Sequence, residues 1–177
     1  MVVRERVDAD LDRCVAIAFL VHELDGYPPY LPDDLRTFLA SPDAYGAWVV
    51  EKDGEIVGHV ALHRGSSSPA VLALAGDALS RPVDRLGVVA RLFVDPFARR
   101  SGVGETLLEV ASREAVARGL WPVLDVATQL KGAIRLYERC GWSRAGAVTI
   151  RLGDRFTLDE LVYRGPLSPE EDPAPKR

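Results

Sequence analysis

The chain has 177 residues, of which 47% are hydrophobic and 27% are charged, a composition typical of one folded globular domain. Its formal net charge of −4 disfavours nucleic acid as the main partner, because a phosphate backbone binds basic surfaces. No apolar run approaches the roughly 18 residues of a membrane helix, and the N-terminus lacks the apolar segment of a signal peptide. We therefore expect a cytoplasmic protein without a membrane partner.

The first predicted elements are a short strand and two helices. Asp8 or Asp10 is the expected N-cap of an amphipathic helix that continues to about Glu23. A proline-rich loop follows, and a second, short helix is predicted over residues 33–40.

Residues 48–63 predict a β-hairpin. Strand-like residues flank Asp53 and Gly54, a pair that favours a tight turn. The next segment, residues 65–87, contains a helix rich in alanine and leucine, which we expect to pack on the core.

The C-terminal half predicts alternating strands and helices. They are a strand over 88–94, a glycine loop, a helix over about 103–118, a strand over 123–127 and a helix over about 131–140. A second hairpin is expected to turn at Gly153 and Asp154, and the charged, proline-rich residues 166–177 predict a disordered tail. The order of elements indicates one α/β (α+β) domain over residues 1–165, with a mixed sheet and helices on its faces.

Cysteines and histidines are too few and too scattered to suggest a metal site. Cys14 and Cys140 lie in opposite halves of the chain, each within a helix-like pattern, and the three histidines are spread out. We expect unpaired thiols and no bound metal.

The glycine loop joins an apolar strand to an amphipathic helix. A helix start leaves backbone N–H groups unpaired and carries partial positive charge, and Gly102 and Gly104 allow a ligand to approach that backbone closely. Arg99 and Arg100 add two cations. The loop predicts a cradle for phosphate or pyrophosphate; the alternative is that the glycines only turn the chain and the arginines are solvated.

Two nucleotide-binding motifs fit this loop poorly. A P-loop requires Lys followed by Ser or Thr after the second glycine, where Glu105 and Thr106 stand. A dinucleotide-binding loop would place a third glycine at Leu107, although Asp125 stands close to the expected position of its acidic residue.

Two motifs together resemble the GCN5-related N-acetyltransferase (GNAT) superfamily. The first is Arg99-x-x-Gly102-x-Gly104, preceded by LFVDP, and the second is AIRLYERCGW at residues 133–142. The resemblance implies a single-domain GNAT fold, with a mixed, mostly antiparallel sheet of about six or seven strands, helices on both faces and central strands that splay apart.

The resemblance also implies acetyl-CoA as cosubstrate. Backbone amides of residues 100–105 would bind its pyrophosphate, and the strand edge at residues 92–94 would pair with its pantetheine arm. The residues implied to bind it are Leu92, Phe93, Val94, Arg99, Arg100, Ser101, Gly102, Val103, Gly104 and Glu105. The family usually has a cofactor-binding asparagine seven residues before the motif tyrosine; this chain has Leu130 there, with Gln129 adjacent.

The implied reaction is acetyl transfer to a primary amine of a small molecule or peptide, by direct attack in a ternary complex without a metal. Tyr137, with an ordinary pKa of ~10, is suited to protonate the departing thiolate. The alternative for Tyr137 is core packing, since it shares a helix face with Ile134 and Cys140.

The base and the acceptor site are less defined. The candidates for contact with the acceptor are Glu23, Tyr27, Tyr30, His59 and His63, and Asp125 is a further candidate base. A noncatalytic acyl-CoA-binding regulatory module and an enzyme that acylates a hydroxyl group are alternative functions. The sequence leaves the acceptor and the oligomeric state open, a homodimer included.

Overall fold

The computed structural model describes residues 1–29, 31–65, 68–152 and 156–169. In this part of the chain seven strands form one open sheet in the order β1-β2-β3-β4-β5-β7-β6. The strands are β1 (Val2–Glu5), β2 (Ala44–Lys52), β3 (Glu55–His63), β4 (Leu86–Val94), β5 (Trp121–Ala127), β6 (Ser143–Leu152) and β7 (Phe156–Arg164). Only the β4–β5 pairing is parallel, which confirms the predicted mixed, mostly antiparallel sheet.

Five α-helices in the described residues cover the two faces of the sheet. They are α1 (Leu11–Asp25), α2 (Leu35–Leu39), α3 (Pro69–Leu79), α4 (Val103–Ala117) and α5 (Lys131–Arg139). Neighbouring strand residues point to opposite faces: Val50 packs in the cluster beneath α4 and α5, and Val49 in the cluster beneath α1 and α2. The helix α3 covers a third cluster on the α1 side, at the C-terminal strands.

The N-terminus differs in detail from its sequence pattern. Asp10 occupies the N-cap position of α1, but its side chain makes no cap hydrogen bond to that helix. Its carboxylate instead accepts from the Val7 N–H at 2.8 Å and from Arg4 at 2.7 Å, which fixes the turn between β1 and α1. The helix itself continues two residues further than expected, to Asp25, and ends at Gly26 in the left-handed region.

The two central strands diverge after a short pairing. Parallel partners extend only from Leu86 with Trp121 to Val88 with Val123, although both strands continue beyond them. Residues 89–94 of β4 therefore have a free edge towards β5, and the predicted splay is confirmed.

The structure also describes the cysteines and the lengths of the helices. Cys14 and Cys140 are both free, and Cys14 is buried. None of the described helices is long and apolar enough to cross a membrane. The expected turn at Gly153 and Asp154, and the tail from residue 170 onwards, lie outside the described residues.

Candidate active site

A cleft of about 960 Å³ passes through the sheet where β4 and β5 diverge. One side of the cleft is formed by the start of α4 and a face of α5. The other side is formed by the loop after α1, by Phe38 of α2 and by inward residues of β5 and β7. Residues on both faces of the sheet therefore line one cleft.

The glycine loop presents unpaired backbone amides to this cleft. Gly102 is the N-cap of α4 and has a φ of 81°, a left-handed conformation that favours glycine. The first amide of the helix to form a hydrogen bond is that of Thr106, which donates to the Gly102 carbonyl at 3.0 Å. Within the described chain, the N–H groups of residues 101–105 have no hydrogen-bond partner, so α4 begins with an open anion site.

Side chains around the loop provide additional charge. Arg99 forms an ion pair with Asp25 at the end of α1, and Arg139 of α5 donates to Glu105 at 2.9 Å. The second pair neutralises the one carboxylate in the first turn of α4, which would otherwise repel an anion.

Tyr137 lies on the inner face of α5 and contributes to the lining of the cleft. It is 7% exposed and packs against Trp142 and Tyr163, with ring centroids 6.3 and 6.2 Å away. Burial raises the pKa of its hydroxyl, and the nearby Tyr27 and Asp125 raise it further. Tyr137 is consequently protonated throughout the neutral range and can act only as a proton donor there.

Two carboxylic acids form a buried pair on the opposite face of the sheet from Tyr137. Asp125 of β5 lies opposite Val162, and Glu160 of β7 lies opposite Ala127, so the two acids are diagonal neighbours on one face. Their carboxyl groups are close enough for each to affect the pKa of the other. Burial raises the pKa of both acids, and the charge of Asp125 raises that of Glu160 further, to about 8, so the pair holds at least one proton at neutral pH.

The pair had only a partial signal in the sequence. Asp125 is a candidate from its strand, whereas Glu160 was missed. Leu158, Glu160 and Val162 alternate on one buried face of β7, so an acid on the apolar face of a strand was the available signal.

Three further residues, Tyr27, His63 and Arg91, line the cleft on the side of the sheet covered by α1 and α2, which we call the acceptor face. Tyr27 comes from the loop after α1, and burial raises the pKa of its hydroxyl. Arg91 of β4 and His63 of β3 lie near each other, since the charge of Arg91 lowers the pKa of His63.

The structure places most of the residues predicted from the sequence around this cleft. Those that line it are Leu92, Phe93, Val94, Arg99, Arg100, Gly102, Val103, Gly104, Glu105, Tyr27, His63 and Tyr137. Among the described residues, Ser101, Glu23 and His59 are not part of the lining, and Tyr30 lies outside the described residues. Leu130 and Gln129 both line the cleft.

His59 has a structural environment of its own. It is fully buried, its Nδ1 faces the Arg91 carbonyl at 2.9 Å, and its Nε2 faces Arg6 at 3.1 Å. Burial lowers its pKa to about 3, so the ring is neutral and donates from Nδ1. This geometry holds the β4 backbone at Arg91, and contact between His59 and the acceptor stays a prediction.

A family model described as Acetyltransferase (GNAT) family matches residues 15–142. The chain belongs to the GNAT acetyltransferases. Members of this family use acetyl-CoA, and the unpaired amides at α4, the free edge of β4 and the depth of the cleft fit a pantetheine diphosphate. Among the described residues, no cluster of three or more His, Cys, Asp or Glu could hold a metal ion.

Solved structures support the fold assignment. An N-acetyltransferase from Staphylococcus aureus Mu50 has a TM-score of 0.71 and 20% identity, over 94% of this chain and 97% of that one. The ribosomal-protein-S18-alanine N-acetyltransferase from Escherichia coli has a TM-score of 0.69 and 18% identity, over 99% and 98%. The Salmonella typhimurium protein yncA, solved with its cofactor acetyl-CoA, has a TM-score of 0.70 and 19% identity, over 99% and 98%. No curated protein matches the sequence.

Proposed function

We propose that this GNAT protein is an acetyl-CoA-dependent N-acetyltransferase that acts on a primary amine of a small molecule or peptide. The observation that carries the proposal is the arrangement of one cleft. It has an anion cradle and a tyrosine hydroxyl on one face of the sheet, and a pair of carboxyl groups on the other.

The cofactor would be held by backbone groups. The amides of residues 101–105 would bind the diphosphate with Arg99 and Arg100 beside them, and the free edge of β4 at Leu92–Val94 would pair with the pantetheine amides. When bound, acetyl-CoA supplies an activated acetyl thioester at the splay.

The Asp125–Glu160 pair would receive the first proton. An alkyl amine with a pKa near ~10.4 enters mostly as an ammonium ion, which a buried negative charge attracts. Proton transfer to the pair would leave the amine nitrogen with a free electron pair for attack on the acetyl carbonyl. The pair would later release this proton to solvent, which accounts for the one proton that the overall reaction liberates.

Tyr137 would supply the proton that the coenzyme sulfur gains when its bond to the acetyl carbon breaks. The second proton lost by the amine nitrogen then restores the hydroxyl, so the enzyme ends in its starting state. The raised pKa of Tyr137 keeps the hydroxyl protonated and able to hydrogen-bond the departing sulfur. Because a thiolate is a weaker base than a tyrosinate, the proton that the nitrogen returns to Tyr137 drives the transfer to sulfur.

Transfer from radiolabelled acetyl-CoA to a broad panel of amines tests the proposal. We expect an amide product that resists alkali, and a loss of about 100-fold or more in kcat for Tyr137→Phe. Tyr163→Phe is the matched control. The Tyr163 hydroxyl donates to Glu138 over 3.0 Å, and Tyr163 is not part of the cleft lining. An alkali-labile ester would contradict amine acetylation, and tight cofactor binding without transfer would favour a regulatory acyl-CoA-binding module.

A further inference from the structure

Arg91 is a half-buried cation in the lining of the cleft, and no described carboxylate forms an ion pair with it. Among the described residues it forms no ion pair, and its Nη1 is buried without a hydrogen-bond partner. Burial lowers its pKa to about 10, so the side chain still carries its charge at neutral pH. A buried charge in this state is unfavourable for folding unless a ligand pairs with it.

The backbone around Arg91 is strained and held in place. Ala61 lies opposite Ala90 and His59 lies opposite Phe93, so β4 carries a bulge at this point. Arg91 itself has a φ of 53°, which is uncommon for a residue other than glycine. The His59 ring donates to the Arg91 carbonyl, which fixes the bulge from the β3 side.

The guanidinium group of Arg91 lies over an aromatic ring. Its guanidinium carbon lies 4.1 Å from the centroid of the Phe38 ring of α2, and both residues line the cleft. His63 is beside it, 5% exposed, with an Nε2 that is buried and unpartnered. Arg91 and His63 thus each contribute a buried nitrogen atom without a hydrogen-bond partner, and both residues line the cleft.

The acidic pair lies at the other end of this face. The charges of Asp125, Glu160 and Arg91 all act on the Tyr27 hydroxyl, so Tyr27 lies near both the acidic pair and the cation. A molecule that carries both an amine and an anion would match the two ends of the cleft at once.

We propose that the amine acceptor also bears a carboxylate, as a free amino acid does, and that Arg91 binds this carboxylate with His63 beside it. A monoanion fits because Arg91 carries one charge and His63, whose burial keeps it neutral, adds only a neutral N–H. The inference rests on the proposed N-acetyltransferase function, since it assigns the second functional group of the same acceptor.

The test compares free L-amino acids with their own amides as acceptors for the full-length chain at saturating acetyl-CoA. Alanine, leucine, methionine and phenylalanine are each paired with the corresponding amide. The amide has the less basic amine, so its intrinsic reactivity works against the inference. We expect kcat/KM for the acid of an accepted pair to exceed that for the amide by about tenfold or more.

Arg91→Met separates charge recognition from packing, because methionine retains an apolar contact with Phe38. We expect this variant to lose about 30-fold in kcat/KM for the amino acid and to keep the value for the amide within about threefold. Its melting temperature should be equal to or above that of the parent, since an unpaired buried charge is removed. Arg64→Met is the control: Arg64 lies over the Tyr45 ring at 4.9 Å, outside the cleft lining.

The outcomes distinguish this inference from the proposed function. Transfer to amides as fast as to acids, or an unchanged acid-to-amide ratio in Arg91→Met, overturns the carboxylate site and leaves the N-acetyltransferase function intact. If nothing is acetylated, N-acetyl amino acids and their amides are titrated by calorimetry with coenzyme A present. Selective binding of the acids then supports the site while contradicting catalysis, and no selectivity overturns the site as well.

Discussion

At the scale of single residues, the acidic pair sets a pH dependence of stability. Glu160 has a pKa of about 8 in the folded chain, against an ordinary value of 4.5. Between these values the folded state retains a proton that the unfolded state has released. The free energy of unfolding therefore falls as pH rises across this range, and it levels off above about pH 8.

Glu160→Gln should remove this dependence. A glutamine stays neutral at every pH. The free energy of unfolding of the variant should therefore vary less between pH 6 and pH 9 than that of the parent protein. Urea unfolding midpoints across this range measure the difference directly. Glu109→Gln, which changes an exposed acid paired with Arg113 within α4, should retain the parent slope. A parent whose midpoint rises from pH 6 to pH 9 would contradict the shared proton.

The residues that define the acceptor face were the hardest to predict from the sequence. Gly102, Gly104 and Tyr137 belong to contiguous motifs, so local pattern was sufficient to predict them as site residues, and all three line the cleft. Glu160 meets Asp125 only through the register of β5 with β7, and Arg91 is directed by a bulge opposite β3. Both depend on pairings between distant parts of the chain, which a local pattern does not record.

At the scale of elements, α4 packs closely against β3 at Gly58. A Cβ added to Gly58 would lie 2.8 Å from the side chains of Val103 and Leu107 and 3.2 Å from the Phe93 carbonyl. These neighbours are buried in the largest core cluster or belong to the backbone, so they have little room to move.

Gly58→Ala should therefore reduce the free energy of unfolding by about 1–3 kcal/mol through overpacking. Gly132→Ala is the matched control, because a Cβ there meets nothing within 4 Å and Gly132 lies in the first turn of α5. It should be neutral or stabilising by up to ~1 kcal/mol, since alanine favours helix. Equal effects of the two substitutions in chemical denaturation would refute a close contact between α4 and β3.

The sequence predicted helix or strand correctly where the hydrophobic periodicity was long. The first and last residues of each element were less predictable. The helix after the glycine loop was expected over residues 103–118 and spans Val103–Ala117, because its apolar stripe repeats for four turns. The strand expected from Trp48 begins four residues earlier, at Ala44. Its first four residues are all half-buried, so the sequence there shows no alternation of apolar and polar side chains that would predict a strand.

At the scale of the whole molecule, the proposed cofactor site is bounded by elements that lie far apart along the chain. The cleft is bounded by β4, α4 and α5, and Arg99 ties the glycine loop to the end of α1 through Asp25. A ligand that spans these parts binds the folded state only, so it stabilises the whole domain.

Coenzyme A should accordingly raise the melting temperature, by roughly 5–10 °C at 100 times its Kd, which corresponds to about 2.7 kcal/mol. Pantetheine, which has the same amide arm but no diphosphate, should raise it far less at equal concentration, because it leaves the amides of residues 101–105 unpaired. Added salt should reduce the shift with coenzyme A more than that with pantetheine, since only the former depends on charge. Equal shifts from the two compounds would mean that the arm alone accounts for binding and that the start of α4 is not the anion site.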